Sequence, residues 1–287
     1  MTADIAAAAR FLAASGRVLD RRRFDRLFAG APAGPVIAAV AAYRNEDGGF
    51  GHGLEPDGRT PGSQPAAVQL ALRVLDQADA WDEDLVAGAL DWLERTAPAE
   101  GGTPFVLPNV DGWPHAPWWQ PEADLPPSLI TTGAITGTLH ARGVDHPWLD
   151  RATAWLWSRI DGLGAVGPYD VRGVFAFLDH VPDRERAEKA VVDVGAVLFD
   201  AKLVAVDPDA AGEVHGPLDY APLPTSAARA LFDDATIAAH LDRLAAGQEE
   251  DGGWTFNWPA WSPAAEADWR GCLTVDALAT LRAAGSG

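Results

Sequence analysis

Two short segments of the chain carry residues that could do acid–base chemistry. One reads HGLEPD at positions 52–57, and a partial copy reads HGPLD at positions 215–219. Protonation of an alkene or epoxide requires a carboxylic acid that burial or a neighbouring charge keeps protonated. Asp57 or Glu55 would be that acid, and His52 would orient or reprotonate it. His215 and Asp219 would line the opposite wall of the site.

Helix capping is the structural alternative for these acids. A carboxylate placed just before a helix accepts hydrogen bonds from the first free N–H groups of that helix. Asp124, Asp170 and Asp268 stand in comparable places along the chain. Capping accounts for any one of these acids, but it does not need an imidazole beside two carboxylates, which is what positions 52–57 provide.

A bound metal is a second chemical possibility. Two histidines and a carboxylate are sufficient ligands for zinc or iron when they converge. The possible ligands are His52, Glu55, Asp57 and His215. Spacing along the chain does not decide whether they converge, so a divalent metal stays an alternative, and no other cofactor is expected.

Aromatic and basic side chains could bind a substrate beside these segments. The candidate tryptophans are Trp113, Trp118, Trp119, Trp258 and Trp261, and the same C-terminal stretch also holds Trp254 and Trp269. Indole faces stabilise carbocations and stack on sugars, and they also fill gaps between helices. The candidate anion clamps for a diphosphate or carboxylate are Arg44, Arg59, Arg229 and Arg270, each of which could instead pair with one of the many acids. The proline-rich surroundings of Trp118 indicate that the long loop 103–124 forms a lid.

Charge and cysteine content exclude several classes of protein. Acidic residues outnumber basic ones by 41 to 22, giving a formal net charge of -19. Such a chain repels a phosphate backbone, so no nucleic-acid partner is expected. Cys272 is the only cysteine, so no internal disulfide forms. With no basic leader and no long uncharged apolar stretch, the sequence predicts a cytoplasmic protein without a membrane span.

Two glycine turns organise the rest of the chain. The stretch 248–254 reads QEEDGGW, and 44–50 reads RNEDGGF. In each, glycines supply the backbone conformation of a tight reversal, and the aromatic residue anchors the turn on the helices it joins. A recurrent turn in a helical chain predicts a repeat architecture.

Helix signals fill the sequence between these turns. Caps, glycines and prolines predict helices at 4–14, 17–28, 35–43, 61–75, 82–95, 126–141, 147–160, 169–180, 183–199, 222–232, 233–246 and 269–283. Only the short apolar run 203–206 is typical of an extended segment. Small-residue helices alternate with charged amphipathic ones, which is typical of an inner ring of helices inside an outer ring. The segment 3–14 could be a sixth inner helix, so the prediction is a single all-α domain, 1–287, of about six helical hairpins.

The turn sequence resembles a known family. Gln248-x3-Gly252-x-Trp254 looks like the repeat of squalene and other class II terpenoid cyclases and of protein prenyltransferases, and the stretch 44–50 matches it with Arg44 in place of Gln. The resemblance implies an α/α toroid over most of the chain with an apolar cavity at one end. The Asp-x-Asp-Asp acid and the Asp-Asp-x-x-Asp magnesium motif of related enzymes are absent. Cys272 has no nearby His with which to form the zinc site of a prenyltransferase.

These features together lead to a functional expectation. The chain would be a terpenoid-cyclase-like enzyme that starts the cyclisation or isomerisation of a small apolar isoprenoid by protonation. A hydrolase or lyase acting on glycans is an alternative, because helical toroids with paired carboxylates and aromatic platforms also bind sugars. A non-catalytic binding module is a third, because the repeat is a structural brace and not a catalytic group.

Overall fold

Helices account for all the regular structure of the described residues. The structure is a computed structural model that describes residues 3–285, and within that range it contains no β-strand, only isolated bridges. The α-helices are α1 (Ile5–Ser15), α2 (Val18–Phe28), α3 (Gly34–Ala41), α4 (Pro65–Gln77), α5 (Glu83–Thr96), α6 (Leu129–Ala141), α7 (Pro147–Asp161), α8 (Pro168–His180), α9 (Arg184–Asp200), α10 (Pro217–Tyr220), α11 (Asp234–Ala246) and α12 (Pro263–Ala283). Short 3₁₀ helices cover Pro108–Val110 and Ala227–Leu231. The all-α prediction is therefore confirmed.

Side-chain caps explain where several helices begin. Asp4 accepts a hydrogen bond from Ala7 N at 2.9 Å to start α1, and Asp82 accepts one from Leu85 N at 2.9 Å to start α5. Ser262 does the same for α12, which explains why that helix begins at Pro263 and not near 269. Each cap satisfies an N–H group that has no partner inside its helix.

The stretch from 203 to 232 departs from the prediction in two ways. Residues 203–206 form no strand, and Ala205 N instead donates to the carbonyl oxygen of His215 at 2.8 Å. The helix predicted at 222–232 is reduced to the 3₁₀ turn Ala227–Leu231. Pro222 and Pro224 explain the loss, because neither has an N–H group to donate within a helix.

The two glycine turns have the same internal hydrogen bonds. Asn45 N donates to Gly49 O at 2.9 Å, and Glu249 N donates to Gly253 O at 2.8 Å. The acid before each glycine pair accepts from the second glycine N–H, at 2.9 Å in the first turn and 3.0 Å in the second. The aromatic residue that ends each turn is buried, with 0% of Phe50 and 3% of Trp254 exposed. The repeat predicted from the sequence is therefore a real repeat of local structure.

Each of these turns rests on the backbone of another helix. A Cβ at Gly48 would overlap the carbonyl oxygen of Gly88 in α5, and one at Gly252 would overlap the carbonyl oxygen of Ala7 in α1. Gly101, in the next turn, lies in the same way against Arg151 in α7. Glycine is required at these positions because the two backbones touch.

Helix contacts run through the whole described chain and return to its start. They pass from α2 through α3 to α4, then to α6, α8, α10, α11 and α12, and α12 contacts both α1 and α2. The helices α6 and α8 approach closely because Gly133 and Gly173 face each other. Within residues 3–285, no helix is both long and apolar enough to cross a membrane.

Two glycines with nearly the same backbone conformation give a direct test of the contact between turn and helix. Gly252 and Gly212 have φ of +93° and +92°, but only Gly252 is packed against another backbone. We expect Gly212→Ala to lower the free energy of unfolding by about 1 kcal/mol through backbone strain alone. Gly252→Ala should lower it by about 3 kcal/mol or more, because the added methyl group must also displace α1. Urea unfolding of both variants measures the difference, and equal losses would contradict a required close contact.

Candidate active site

Asp57 lies at the centre of the candidate site and is only 6% exposed. Its Oδ2 accepts a hydrogen bond from Trp118 Nε1 at 2.9 Å, and its Oδ1 accepts one from Trp269 Nε1 at 2.8 Å. Trp118 lies in the loop between α5 and α6, and Trp269 lies on α12. One carboxylate therefore joins three segments that are far apart in the sequence.

Backbone pairing holds the loop of Trp118 against the segment that carries Asp57. Ala116 N donates to Asp57 O at 2.7 Å, and Arg59 N donates to Pro114 O at 2.9 Å. Trp119, with 1% of its surface exposed, packs on Gly58, where a Cβ would overlap its ring. Trp119 therefore supports the loop, and the structure does not place it to bind a substrate as the sequence analysis predicted.

Glu55 is the second carboxyl group of the site and is half-buried. Its Oε2 accepts a hydrogen bond from Asp57 N at 2.7 Å. Burial first, and then the nearby charge of Asp57, raise its pKa well above the usual value, although Arg17 and Arg59 oppose the rise. Burial also raises the pKa of Asp57, but the indole N–H groups of Trp269 and Trp118 oppose that rise. Protonation therefore favours Glu55 over Asp57.

Ion pairs surround the two carboxyl groups. Arg59 Nη1 lies 2.7 Å from Asp268 Oδ2, and Arg17 Nε lies 2.9 Å from Asp20 Oδ2. Arg17 also donates from Nη1 to the carbonyl oxygen of Leu54 at 2.7 Å, which fixes the backbone just before Glu55. Both arginines already have a carboxylate partner, and this partner reduces the positive charge that each can offer to Glu55.

His52 does not take the role that the sequence predicts for it. It is exposed, its φ is +56°, and its Nε2 lies 2.9 Å from Asn45 Oδ1 in the first glycine turn. Among residues 3–285 no hydrogen bond or ion pair joins it to Glu55 or Asp57. His52 lies only five residues before Asp57 in the sequence. Its left-handed backbone conformation nevertheless points the imidazole to Asn45 in the first glycine turn.

The predicted basic clamps separate in the structure. Arg270 makes two 2.8 Å hydrogen bonds to the carboxylate of Asp251 and lies over the ring of Phe11, 4.7 Å from its centroid. It therefore braces the second glycine turn. Arg44 lies against Gly88, where a Cβ would overlap its guanidinium group. Arg229 pairs with Asp234 at 2.6 Å. Of the four arginines, only Arg59 accompanies the carboxyl groups.

His215 and Asp219 form a separate group. Asp219 accepts from Gly216 N at 2.8 Å and so caps α10, as the structural alternative expects. His215 is 8% exposed, its ring centroid lies 4.6 Å from that of Tyr169, and burial lowers its pKa. The described residues contain no hydrogen bond or ion pair between this group and Asp57.

The remaining candidate tryptophans differ in their contacts and exposure. Trp258 stacks on Phe256 at 4.5 Å and meets the ring of Trp269 edge-on at 5.5 Å. Trp261 is half-buried, while Trp113 and Trp118 are 49% and 43% exposed. The sequence did not single out Trp269 as a binding residue, although it belongs to the same tryptophan-rich stretch. Its partner, Asp57, lies 212 residues away in the sequence, so no local pattern could have identified this hydrogen bond.

No metal cluster marks the site among the described residues. Within residues 3–285 no three His, Cys, Asp or Glu side chains are placed to hold a metal ion together. His52 and His215 therefore do not converge with the acids into a metal site. Cavities of about 390 Å³, bordered by Trp81 and Arg142, and of about 210 Å³, bordered by Leu12 and Phe24, lie in other parts of the molecule.

Comparisons with known proteins give no relative from which to transfer a role to these residues. No protein-family model matches the chain, and no curated protein matches it either. The chemistry of the site therefore has to be inferred from its own geometry.

Removing one indole N–H group tests the hydrogen bonding of Asp57. Trp269→Phe keeps an aromatic ring on α12 but takes away the donor to Oδ1, so the pKa of Asp57 should rise further. Titration of ¹³C-labelled side-chain carboxyl groups by NMR measures it. Trp258→Phe is the matched control, because Trp258 donates no hydrogen bond to Asp57. A pKa that is the same in Trp269→Phe and the wild type would contradict the assigned hydrogen bond.

Glu55 should also control how stability depends on pH. Its raised pKa means that the unfolded chain loses this proton first as pH rises, so the free energy of unfolding decreases from the ordinary Glu pKa of about 4.3 up to the raised value. Glu55→Gln has no carboxyl group to ionise, so it does not lose this free energy of unfolding as the pH rises. The variant should therefore unfold at a higher temperature than the wild type at pH 7 but not at pH 4. Thermal unfolding across this range measures the effect. Exposed Glu100→Gln is the control, and parallel pH profiles of Glu55→Gln and wild type would refute a raised pKa.

Proposed function

We propose that the helices form an α/α toroid of six hairpins. In this arrangement α2, α4, α6, α8, α12 and the short pair of α10 with Ala227–Leu231 form the inner ring. The outer ring is α1, α3, α5, α7, α9 and α11, so that α2 takes the sixth inner place and not the segment 3–14. The support is the return of helix contacts from α12 to α2, and the seating of the turns at Gly48, Gly101 and Gly252 on α5, α7 and α1.

We further propose that the protein is an enzyme that starts a cyclisation or isomerisation of a small apolar, isoprenoid-type molecule by protonating it. The observation that carries the proposal is the pair of carboxyl groups. Glu55 has a strongly raised pKa, and it lies beside Asp57, whose carboxylate accepts hydrogen bonds from two indole N–H groups. Paired carboxyl groups whose surroundings separate their pKa values are typical of acid–base sites.

The two acids take different roles in this proposal. Glu55 transfers its proton to a carbon of the alkene, and the alkene electron pair forms the new C–H bond. The resulting carbocation is stabilised by the charge of Asp57 and by the ring faces of nearby tryptophans. Loss of a proton from a neighbouring carbon to the Glu55 carboxylate forms a new double bond and restores the acid. Atoms and charges balance without a cofactor.

The loop of Trp118 gives such a substrate a way in. Trp118 is 43% exposed even though it donates to Asp57, so its hydrogen bond lies at the edge of the site. Breaking this bond and moving Trp118 outward would open the site without unpacking α12. The loop therefore acts as the lid in this proposal.

A glycan hydrolase or lyase is the second candidate, and one observation favours it. Trp118 exposes a large ring surface beside Asp57, and Trp113 exposes one in the same loop, as aromatic platforms for sugars do. A sugar substrate would stack on these exposed rings from outside. An isoprenoid would instead contact the inner tryptophans Trp261 and Trp269.

An activity screen with matched variants tests the proposed reaction. The purified protein is incubated with linear terpenols, terpene hydrocarbons and oligosaccharides, and the products are identified by gas chromatography and mass spectrometry. We expect a cyclised or double-bond-shifted isoprenoid, and a loss of rate of about 100-fold or more in Glu55→Gln, because general acid catalysis contributes roughly that much. Glu100→Gln should keep the full rate. A Glu55→Gln variant as active as wild type would refute the role of the acid, and cleavage of oligosaccharides alone would favour the second candidate.

A further inference from the structure

The carboxylate of Asp20, in the first turn of α2, is completely buried. Its Oδ2 accepts a hydrogen bond from Arg17 Nε at 2.9 Å, and its Oδ1 accepts a second from Arg17 Nη2 at 3.3 Å. Arg23 Nη1 lies 3.6 Å from the same Oδ1. Burying charged groups costs free energy, so a carboxylate held in this way between two arginines calls for an explanation.

Helix capping does not explain this carboxylate. Asp20 is the third residue of α2, where an acid commonly compensates the helix dipole and the free backbone N–H groups. Among residues 3–285, however, no backbone N–H group donates to it, and both of its oxygens face arginines. Packing of α12 fixes the carboxylate there, because a Cβ at Gly271 would lie only 2.9 Å from Oδ2. Asp20 is therefore placed as a partner of Arg17.

Arg17 connects Asp20 to the acid of the site. Its Nη1 donates to the carbonyl oxygen of Leu54 at 2.7 Å, and Leu54 is bonded directly to Glu55. The charge of Arg17 is one of two positive charges that oppose the raised pKa of Glu55, the other being that of Arg59. An arginine so near a carboxyl group would normally pair with it and keep it ionised. The Nε and Nη2 of Arg17 donate to Asp20 instead.

We infer that Asp20 is a positioning residue that keeps the Arg17 guanidinium from pairing with Glu55, and so leaves Glu55 able to hold its proton. The inference rests on the proposed function for the use of that proton. The effect of Asp20 on Glu55 itself needs no substrate, so it can be measured on the protein alone.

The other groups near Glu55 do not take over this role. Asp57 raises the pKa of Glu55 and Arg59 lowers it, but Arg59 already lies 2.7 Å from Asp268 of α12. Tyr43, which follows α3, is near the same ion pairs, and burial raises its pKa, so it is uncharged at pH 7. Each arginine beside Glu55 therefore has its own carboxylate, and the partner of Arg17 is the one inside α2.

Titration of Glu55 in Asp20→Asn tests the inference. The side-chain carboxyl carbons are labelled with ¹³C, and the NMR signal of Glu55 is identified by its absence in Glu55→Gln. We expect Asp20→Asn to lower the pKa of Glu55 by about one pH unit or more, because Arg17 then pairs with it. Asp276→Asn is the matched control, since it removes another arginine-paired carboxylate, 2.6 Å from Arg23, that does not contact Arg17. This control should leave the pKa of Glu55 unchanged.

Two further variants keep the test decisive if Asp20→Asn does not fold. Arg17→Met removes the charge that Asp20 holds, and the double variant Arg17→Met/Asp20→Asn replaces the whole buried pair by neutral groups, which proteins commonly tolerate. Because Asp20 acts through Arg17 in this inference, Glu55 should have the same pKa in both. A lower pKa in the double variant would mean that Asp20 acts by its own charge, and it would overturn the inference. An unchanged pKa in folded Asp20→Asn would overturn it as well.

Reaction rates distinguish this inference from the proposed function. If Glu55 donates the proton, kcat/KM for the isoprenoid falls as the pH rises through the pKa of Glu55, and this fall should begin about one pH unit lower in Asp20→Asn. A lowered pKa of Glu55 without product from any isoprenoid would support the inference and overturn the proposed function. A reaction that needs Glu55 but has the same pH profile in wild type and Asp20→Asn would overturn the inference alone.

Discussion

The contact between Gly252 and the backbone of Ala7 is the constraint on which the arrangement of the site depends. It places the last turn of the chain directly on α1, and Gln248 strengthens this contact through hydrogen bonds with Asp4 across 244 residues of sequence. Because α12 follows that turn, the same contact fixes where Trp269 can lie. A side chain at Gly252 would separate the two ends of the chain and move the indole donor away from Asp57.

Asp57 links the meeting of the chain ends to the geometry of the site. Its carboxylate binds one indole from the loop 103–124 and one from α12, so the site exists only when both segments are in place. Burial of Asp57 and Glu55 costs free energy, since both pKa values are raised, and packing elsewhere in the protein has to offset that cost. Local conflict of this kind inside an otherwise consistent fold is characteristic of functional sites.

The sequence predicts local features well and distant partners poorly. Capping acids, prolines and glycines mark helix ends because these effects act over a few residues, and the repeated turn is visible because it has the same residues twice. The pairing of Asp57 with Trp269 depends on how the ends of the chain meet, which no local pattern encodes. For His52 the error is the opposite one. It lies close to Glu55 in the sequence, but its left-handed backbone conformation turns its side chain away from the acids. The helix predicted at 222–232 does not form, because Pro222 and Pro224 have no N–H group to donate within a helix.

In the proposed reaction, the different surroundings of the two acids decide which of them gives the proton. Two N–H donors stabilise the charged form of Asp57, and that charge in turn helps to keep the proton on Glu55. A net charge of -19 on the whole chain acts in the same sense, because it favours protonated acids and repels anionic ligands. Arg59 and Arg17 could oppose both effects, but their ion pairs with Asp268 and Asp20 limit them. The electrostatics of the site are therefore consistent with the proposal that Glu55 donates a proton to an uncharged molecule.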